Sequence, residues 1–387
     1  MTKEKILFNN IHISGNEEIY LKELLGSNHL SGDGGFTNRV KEFLEKNITN
    51  HHETLLTHSC TAALEMMALL LDLQPGDEII MPSYTFVSTA TSFVLRGAIP
   101  VFIDIRPDTL NIDESKIESA ITDRTKAIMV VHYAGVAAEM DSIKDIAKKY
   151  NLFVLEDAAQ ALMSSYKNIP LGTIGDLGAY SFHATKNIIS GEGGALIIGN
   201  KNFTERAEII REKGTNRKQF LRNEVDKYTW VDIGSSYLPS ELIAAFLLAQ
   251  LEESKNITKA RLNTWSLYHS LLSDLESDNC LRRPIIPEEC NHNGHLYYIL
   301  LKDSNVRSKL IETLKVAAIS SVFHYIPLHS SPAGKKFSRY QGDLEVTNQT
   351  ADSLLRLPLY ADINEQEVTR VVEVIYDFFR KEKSLNH

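Results

Sequence analysis

Between residues 54 and 198 the chain alternates short, almost uninterrupted apolar runs with amphipathic stretches of helical period. The runs fall at 54–57, 78–82, 101–105, 127–132, 152–156, 178–182 and 195–198; helical patterns such as 62–73 and 140–150 lie between several of them. An apolar run without polar alternation is the mark of a strand covered on both faces. Strands separated by helices rejoin one sheet through crossovers. The pattern therefore predicts an α/β fold, a large doubly wound and mostly parallel sheet with helices on both sides. Ligands of such sheets collect beyond the carboxyl ends of the strands. Asp157, Tyr84 and the pair His132-Tyr133 all fall at such ends.

After about residue 240 the pattern changes. A long amphipathic helix, about 240–272, is expected to link the large unit to a smaller α+β unit. That unit holds a strand at 296–301, a helix at 306–314, a strand-like run at 320–325 and a terminal helix at about 365–381. The expected division is thus 1–30 packing on the small unit, 31–240 as the large ligand-binding unit, and 241–387 as linker and small unit. With 387 residues the chain is long enough for this. A formal charge of -9 argues against a broad nucleic-acid surface, while leaving room for local basic patches. The three cysteines, Cys60, Cys280 and Cys290, form no disulfide framework, so reduced thiols and a cytoplasmic location are expected. No apolar stretch approaches the roughly 20 residues that span a bilayer, and the N-terminus does not read as a secretion signal.

The chemistry concentrates in a few runs. Lys186 follows Ser181-Phe182-His183-Ala184-Thr185 and precedes a turn with Gly191, Gly193 and Gly194. A lone lysine in a polar loop is usually a solvated charge. Asp157 ends an apolar strand, where a lone acid is usually a turn or cap residue. Together they suggest a lysine that condenses with an aldehyde and an acid that pairs with a protonated ring nitrogen. Ser59-Cys60-Thr61 opens a helix, a place for a phosphate or for a simple N-cap. Ser181 offers a further hydroxyl to the same phosphate. Tyr84 can stack on a ring or pack in the core, and Gln160 can donate to a ring oxygen or sit at the surface. The glycine turn allows close approach or is a plain hairpin. The loop from Ser31 through Gly32 to Gly35, with Thr37 as the expected N-cap of the next helix, borders the substrate in this reading. Residues 323–329, with His324, Tyr325 and His329, either close over a polar ligand or form an ordinary strand and turn. Cys290, His292 and His295 match no standard zinc spacing, so no metal is expected. Neither a dinucleotide fingerprint nor a Walker loop is present.

Taken together, these motifs resemble those of the DegT/DnrJ/EryC1/StrS family of pyridoxal-phosphate sugar aminotransferases, of fold type I. The similarity runs from about residue 32 to 358 and includes Pro82-Ser83-Tyr84-Thr85-Phe86, Glu156-Asp157-Ala158-Ala159-Gln160, Gly191-Glu192-Gly193-Gly194 and the Tyr325-x-Pro327-Leu328-His329 element. The resemblance implies pyridoxal 5′-phosphate held as a Schiff base on Lys186, which also shuttles the proton. It implies Asp157 on the pyridine nitrogen, Gln160 on the ring hydroxyl and Tyr84 on the ring face. Ser59, Cys60, Thr61, Ser181 and His183 belong to the cofactor-binding set. The family carries a Gly-x-Asn-Tyr-Arg run whose Asn reaches the neighbouring subunit's phosphate; here it reads Gly234-Ser235-Ser236-Tyr237-Leu238, with Ser236 at the Asn position. A homodimer with a shared site is implied. Runs such as Val131-His132-Tyr133-Ala134-Gly135-Val136 resemble the subgroup of enterobacterial common antigen synthesis. That subgroup uses L-glutamate to aminate C4 of a dTDP-linked 4-keto-6-deoxy sugar, with a galacto product. Amination at C3, the gluco epimer, and a non-catalytic sugar-nucleotide binder stay open; dehydrating relatives replace the lysine by histidine, unlike Lys186.

Overall fold

The computed structural model describes residues 4–385. Its strands are β1 (Glu53–Thr57), β2 (Glu78–Pro82), β3 (Ile99–Ile103), β4 (Thr125–Val131), β5 (Phe153–Asp157), the short β6 (Ser165–Tyr166) and β7 (Ile169–Pro170), β8 (Leu177–Ser181), β9 (Gly194–Ile198), β10 (Cys290–Asn291), β11 (Tyr297–Leu300), β12 (Arg339–Tyr340) and β13 (Leu354–Leu357). Eight of them form one sheet in the order β1-β9-β8-β5-β4-β2-β3-β12. From β8 to β12 every pair is parallel; β9 runs antiparallel to both β8 and β1.

The apolar runs are explained by two cores, one on each face. Ile80, Ile128, Val130, Val154 and Ile197 point to one cluster. Ile79, Met81, Met129, Leu155 and Leu196 point to the other. Successive strand residues alternate between faces, so a strand buried on both must be apolar throughout. Helices Gly35–Asn47, Met140–Tyr150 and Glu241–Glu252 cover the first face, and Cys60–Leu70, Val87–Val94 and Thr204–Arg211 the second.

A third core gathers the C-terminal elements, with Trp265, Tyr297, Leu314, Leu357, Val371 and Ile375. There β11 pairs antiparallel with β13. Ile6 joins this core and bridges Ile319, whereas helix Asn16–Gly26 sends Leu24 into the first core. Late in the chain β12 returns to extend the large sheet beside β3.

Three local expectations are corrected. The stretch 240–272 is two helices, Glu241–Glu252 and Ser254–Leu271, because its halves bury against different cores. Residues 320–325 make no strand, only a bridge from Val322 to Arg356. Thr37 is not an N-cap: its helix starts at Gly35, and Glu241 caps it from a distance. The Glu241 carboxylate accepts from the amides of Gly34 (3.0 Å), Phe36 (2.7 Å) and Thr37 (3.1 Å), and from the Thr37 hydroxyl. One buried anion thus satisfies amides that a helix start leaves open.

Candidate active site

A cavity of about 760 Å³ opens at the carboxyl ends of β4, β5 and β8, roofed by residues of the C-terminal unit. Its walls bring together Ser59, Cys60, Thr61, Asp157, Gln160, Ser181, His183, Lys186, His324 and Tyr325. These come from loops far apart in sequence, and the sheet topology gathers them.

Lys186 lies in the turn between β8 and β9, its amide donating to the His183 carbonyl. Burial lowers its pKa; Cys60 and Asp157 pull it up and Arg356 pushes it down further. The ammonium has no hydrogen-bond or ion-pair partner among the described residues. A desolvated amine of this kind is neutral more often than a surface lysine and is suited to attack a carbonyl.

Asp157 is 6% exposed and has no cation paired with it among the described residues. Its Oδ2 accepts from Thr89 Oγ1 at 2.7 Å, which sits 2.8 Å from Thr85 Oγ1; its Oδ1 accepts from the Ala159 amide at 3.1 Å. A buried carboxylate held by neutral donors alone is costly. A protonated pyridine nitrogen is a fitting counter-charge, and Asp157 faces the cavity where that ring would lie.

The anion cradle is at the start of helix Cys60–Leu70. Ser59 is its N-cap, accepting from the Ala62 amide at 3.1 Å, so the cap reading of this serine holds. Thr61 Oγ1 pairs with Ser88 Oγ at 2.8 Å at the cavity wall. Amides of the first helical turn have no intrahelical acceptor and attract an anion. Gly194 lies so close beneath that a Cβ there would sit 2.4 Å from the Cys60 nitrogen, and Gly193 adopts φ 155°. These glycines serve close approach rather than a plain hairpin. An amine, an unpaired acid and an anion cradle around one cavity fit pyridoxal 5′-phosphate.

Gln160 accepts from the Ala134 amide and donates to the Tyr325 hydroxyl, each at 2.8 Å. His324 stacks on Tyr325 with ring centroids 3.7 Å apart, and its Nδ1 is 2.7 Å from the Tyr133 hydroxyl. Burial pushes the His324 pKa well down, so this ring is neutral.

Other expected residues lie elsewhere. Tyr84 does not face the cavity: it is 1% exposed, packed against Tyr133 and Tyr325. The ring that this segment presents to the cavity is Phe86, which is 57% exposed. His329 hydrogen-bonds Ser83 and stands off the wall. Gly32 packs on Pro239. Ser236 is exposed, away from this chain's cavity. Cys290, His292 and His295 part company: Cys290 pairs with Tyr166 in the β10–β6 ladder, His292 meets Trp265, and His295 Nδ1 is 2.9 Å from Asn187 Oδ1. The sequence reading missed Phe86, the Thr85–Thr89 relay and Arg356, which also lines the cavity. A guanidinium flanked by Leu354, Leu355 and Leu357 was the available signal for the last.

Comparison with known proteins agrees with the fold and with the cofactor. The GDP-perosamine synthase of Caulobacter vibrioides is 31% identical over 370 residues, covering 94% of this chain and 95% of that protein. The UDP-4-amino-4-deoxy-L-arabinose–oxoglutarate aminotransferase of Shewanella sediminis is 33% identical over 348 residues, covering 86% and 88%. Spr1654 of Streptococcus pneumoniae, solved in its PLP form, superposes with a TM-score of 0.88 at 25% identity, covering 98% of this chain and 99% of that one. The model of the DegT/DnrJ/EryC1/StrS aminotransferase family matches residues 12–376. With its mostly parallel sheet and this lysine–acid cavity, the chain has the fold type I architecture and belongs to the DegT/DnrJ/EryC1/StrS aminotransferase family.

Proposed function

We propose that the protein transfers the amino group of L-glutamate to C4 of dTDP-4-keto-6-deoxy-D-glucose, giving dTDP-4-amino-4,6-dideoxy-D-galactose and 2-oxoglutarate. The observation that carries this reading is the meeting, in one cavity, of an unpartnered lysine amine and a buried carboxylate without a cation. The cofactor is pyridoxal 5′-phosphate, which when bound supplies an electron sink for the electrons of a broken C–H bond. Lys186 Nζ is its attachment point. Once released, the same amine takes the proton from the donor carbon and returns one to C4 of the sugar. Delivery from the one side where Lys186 stands sets the configuration there.

Asp157, fixed by Thr89 and the Ala159 amide, holds the ring nitrogen in its protonated form. Cys60, Thr61 and Ser181 hold the phosphate, with Ser59 shaping the helix start and His183 beside it. Phe86 takes the ring-stacking role first given to Tyr84. His324 and Tyr325 face the sugar. Ser236 serves the site of a second copy in a homodimer.

The relative from Shewanella sediminis carries in its name both a nucleotide-linked 4-amino sugar and oxoglutarate, which supports C4 and the donor pair. The dTDP carrier and the galacto product rest on the sequence runs that resemble the subgroup. No helix among the described residues is long and apolar enough to cross a membrane. The proposed place is the cytoplasm, supplying an amino sugar for a surface polysaccharide such as enterobacterial common antigen, lipopolysaccharide or O-antigen.

The test is incubation with L-glutamate and the dTDP-, UDP- and GDP-linked 4-keto-6-deoxy sugars in turn, followed by NMR of the product. A dTDP product with nitrogen on C4 and a small H3–H4 coupling is expected. Nitrogen on C3, or large couplings on both sides of C4, overturns the assignment. Borohydride should first fix the cofactor on Lys186; protein that binds none is not an aminotransferase.

A further inference from the structure

The short run Asn293-Gly294-His295, between β10 and β11, takes no part in the reaction above, yet it is braced along its length and brings His295 to the cavity wall. Asn293 Nδ2 donates to the Gln160 and Leu162 carbonyls at 2.9 and 2.8 Å, and its Oδ1 accepts from the His295 amide at 3.0 Å. Gly135 leaves room for it, since a Cβ there would collide with that Oδ1. From helix Ser254–Leu271, Arg261 donates to the Gly294 carbonyl at 3.1 Å and the His295 carbonyl at 2.6 Å. Arg261 is 4% exposed and has no acid partner among the described residues. Burying a cation on neutral acceptors is unfavourable. What the arrangement secures is the position of one imidazole beside Lys186.

The protonation of that imidazole follows from its neighbours. Asn187, next in the chain after Lys186, donates from Nδ2 to the Asn293 carbonyl at 3.0 Å, so its Oδ1 is the atom 2.9 Å from His295 Nδ1. An amide oxygen only accepts, so Nδ1 carries the proton. Burial, then the charges of Lys186 and Arg261 with His324 and Arg356 beyond them, push the His295 pKa well down. The ring is neutral and its Nε2 is a bare lone pair, unpartnered among the described residues and not sealed in. The other groups facing Lys186 are poorer acceptors for an ammonium. Asp157 is turned to the ring nitrogen in the reading above, Cys60 is a thiol that burial keeps protonated, and Arg356 repels. His324 takes the Tyr133 hydroxyl hydrogen on Nδ1, which leaves a donor at its Nε2.

We propose that His295 is the positioning residue for Lys186: its Nε2 accepts from the Lys186 ammonium whenever that amine has left the cofactor and taken a proton, and holds it facing the reacting carbon. What Lys186 does there rests on the aminotransferase reading. The proton count closes on Lys186 alone. Nζ gains a proton from the donor carbon, keeps it while hydrogen-bonded to His295, and gives it to the acceptor carbon; His295 never ionises.

Nitrogen-15 NMR of the histidine rings in cofactor-free wild type should show His295 in its neutral Nδ1–H form, and an Nε2–H form refutes the proposal. Cofactor-free wild type, His295→Asn and His295→Gln are then labelled with acetic anhydride across pH, with acetylation of Lys186 read by peptide mass spectrometry. Asparagine keeps a donor where Nδ1 stands and offers no acceptor where Nε2 stands; glutamine reaches the second place with an oxygen. The Lys186 pKa should fall by about one unit in His295→Asn, the scale of one lost hydrogen bond to a charged group, and largely return in His295→Gln. A value that stays or rises in His295→Asn, or falls equally in both variants, overturns the proposal. In the loaded enzyme the limiting rate of the half-reaction with L-glutamate should fall about tenfold in His295→Asn, with the half-saturating concentration within about twofold, and recover in His295→Gln. Should His295→Asn not fold, the wild-type tautomer still decides. A wild-type protein whose cofactor spectrum ignores L-glutamate refutes the aminotransferase reading instead, so the two failures are distinct.

Discussion

β5 ends in two adjacent carboxylates that the backbone sends to opposite faces of the sheet. On one face Glu156 is wholly buried and fully satisfied. The amides of Ile174 and Gly175 reach its Oε1 at 2.6 Å, and the Gly172 amide and His132 Nε2 reach its Oε2 at 2.7 and 2.8 Å. The Ala138 amide donates to His132 Nδ1, so the proton lies on Nε2, facing Glu156. On the other face Asp157 has one hydroxyl, one local amide and then the cavity. The contrast teaches how to tell a structural acid from a chemical one. Both are buried, and what differs is the acceptor capacity left over for a ligand.

The contrast breaks most visibly at Asp157. Asp157→Asn should lower turnover about 10³-fold, the scale of a lost charge stabiliser at a reacting centre. In cofactor-free protein its thermal midpoint should stay level or rise, because a buried charge that no side-chain cation pairs is removed. A large fall in the midpoint would put Asp157 in the same class as Glu156. The reciprocal change, Glu156→Ala, strands His132 and three amides. Denaturant unfolding should show a loss of about 3–5 kcal/mol, with turnover per folded molecule within about tenfold of wild type. Wild-type stability combined with lost turnover would erase the distinction.

A third buried acid sharpens it. Glu78 on β2 meets Arg339 at 2.7 Å and Arg124 at 2.6 Å. Burial alone would raise its pKa, but hydrogen bonds from Arg339, Thr122 and Arg124 outweigh that and hold it down to about 2. The folded value is the lower one. Its stabilisation is therefore complete above the unfolded value of 4.5 and is lost as pH falls toward about 2. Urea midpoints in that window should show an acid-labile part on the order of 2–3 kcal/mol that Glu78→Gln removes. An unchanged acid profile in the variant would count against the ion pairs. The smallest effect is expected at Thr89→Val. Loss of one hydrogen bond to the charged Asp157 should cost roughly tenfold in turnover, about 1.4 kcal/mol. Stability should barely move, and an unaffected rate would show that the hydroxyl relay does not steady the acid.

Much of this was legible in the chain. Strands covered on both faces must be apolar throughout, so β2, β4, β5, β8 and β9 showed themselves. Asp157 stood out as an acid at the end of such a strand, and Lys186 by its place between a strand and a glycine turn. What stayed hidden is settled by distant residues. Tyr84 and Phe86 share one short loop, and nothing local says which ring turns inward. Tyr133, Tyr298, His324 and Tyr325 decide it by building the pocket that Tyr84 fills. Thr37 looked like a cap because the acid that satisfies its helix lies at Glu241. Arg356 sits in a strand of leucines and gains meaning only when β13 swings over the cavity.

The return of β12 to the edge of the large sheet has a consequence for biosynthesis. Until Arg339 and Tyr340 leave the ribosome, β3 is an uncovered border with free hydrogen-bonding groups, and Glu78 lacks one of its two arginines. An open border of this kind invites other chains. A nascent polypeptide stalled short of that point already contains every residue proposed to hold the cofactor, yet its open border leaves it prone to clump, so translation must run almost to its finish before the large sheet is safe.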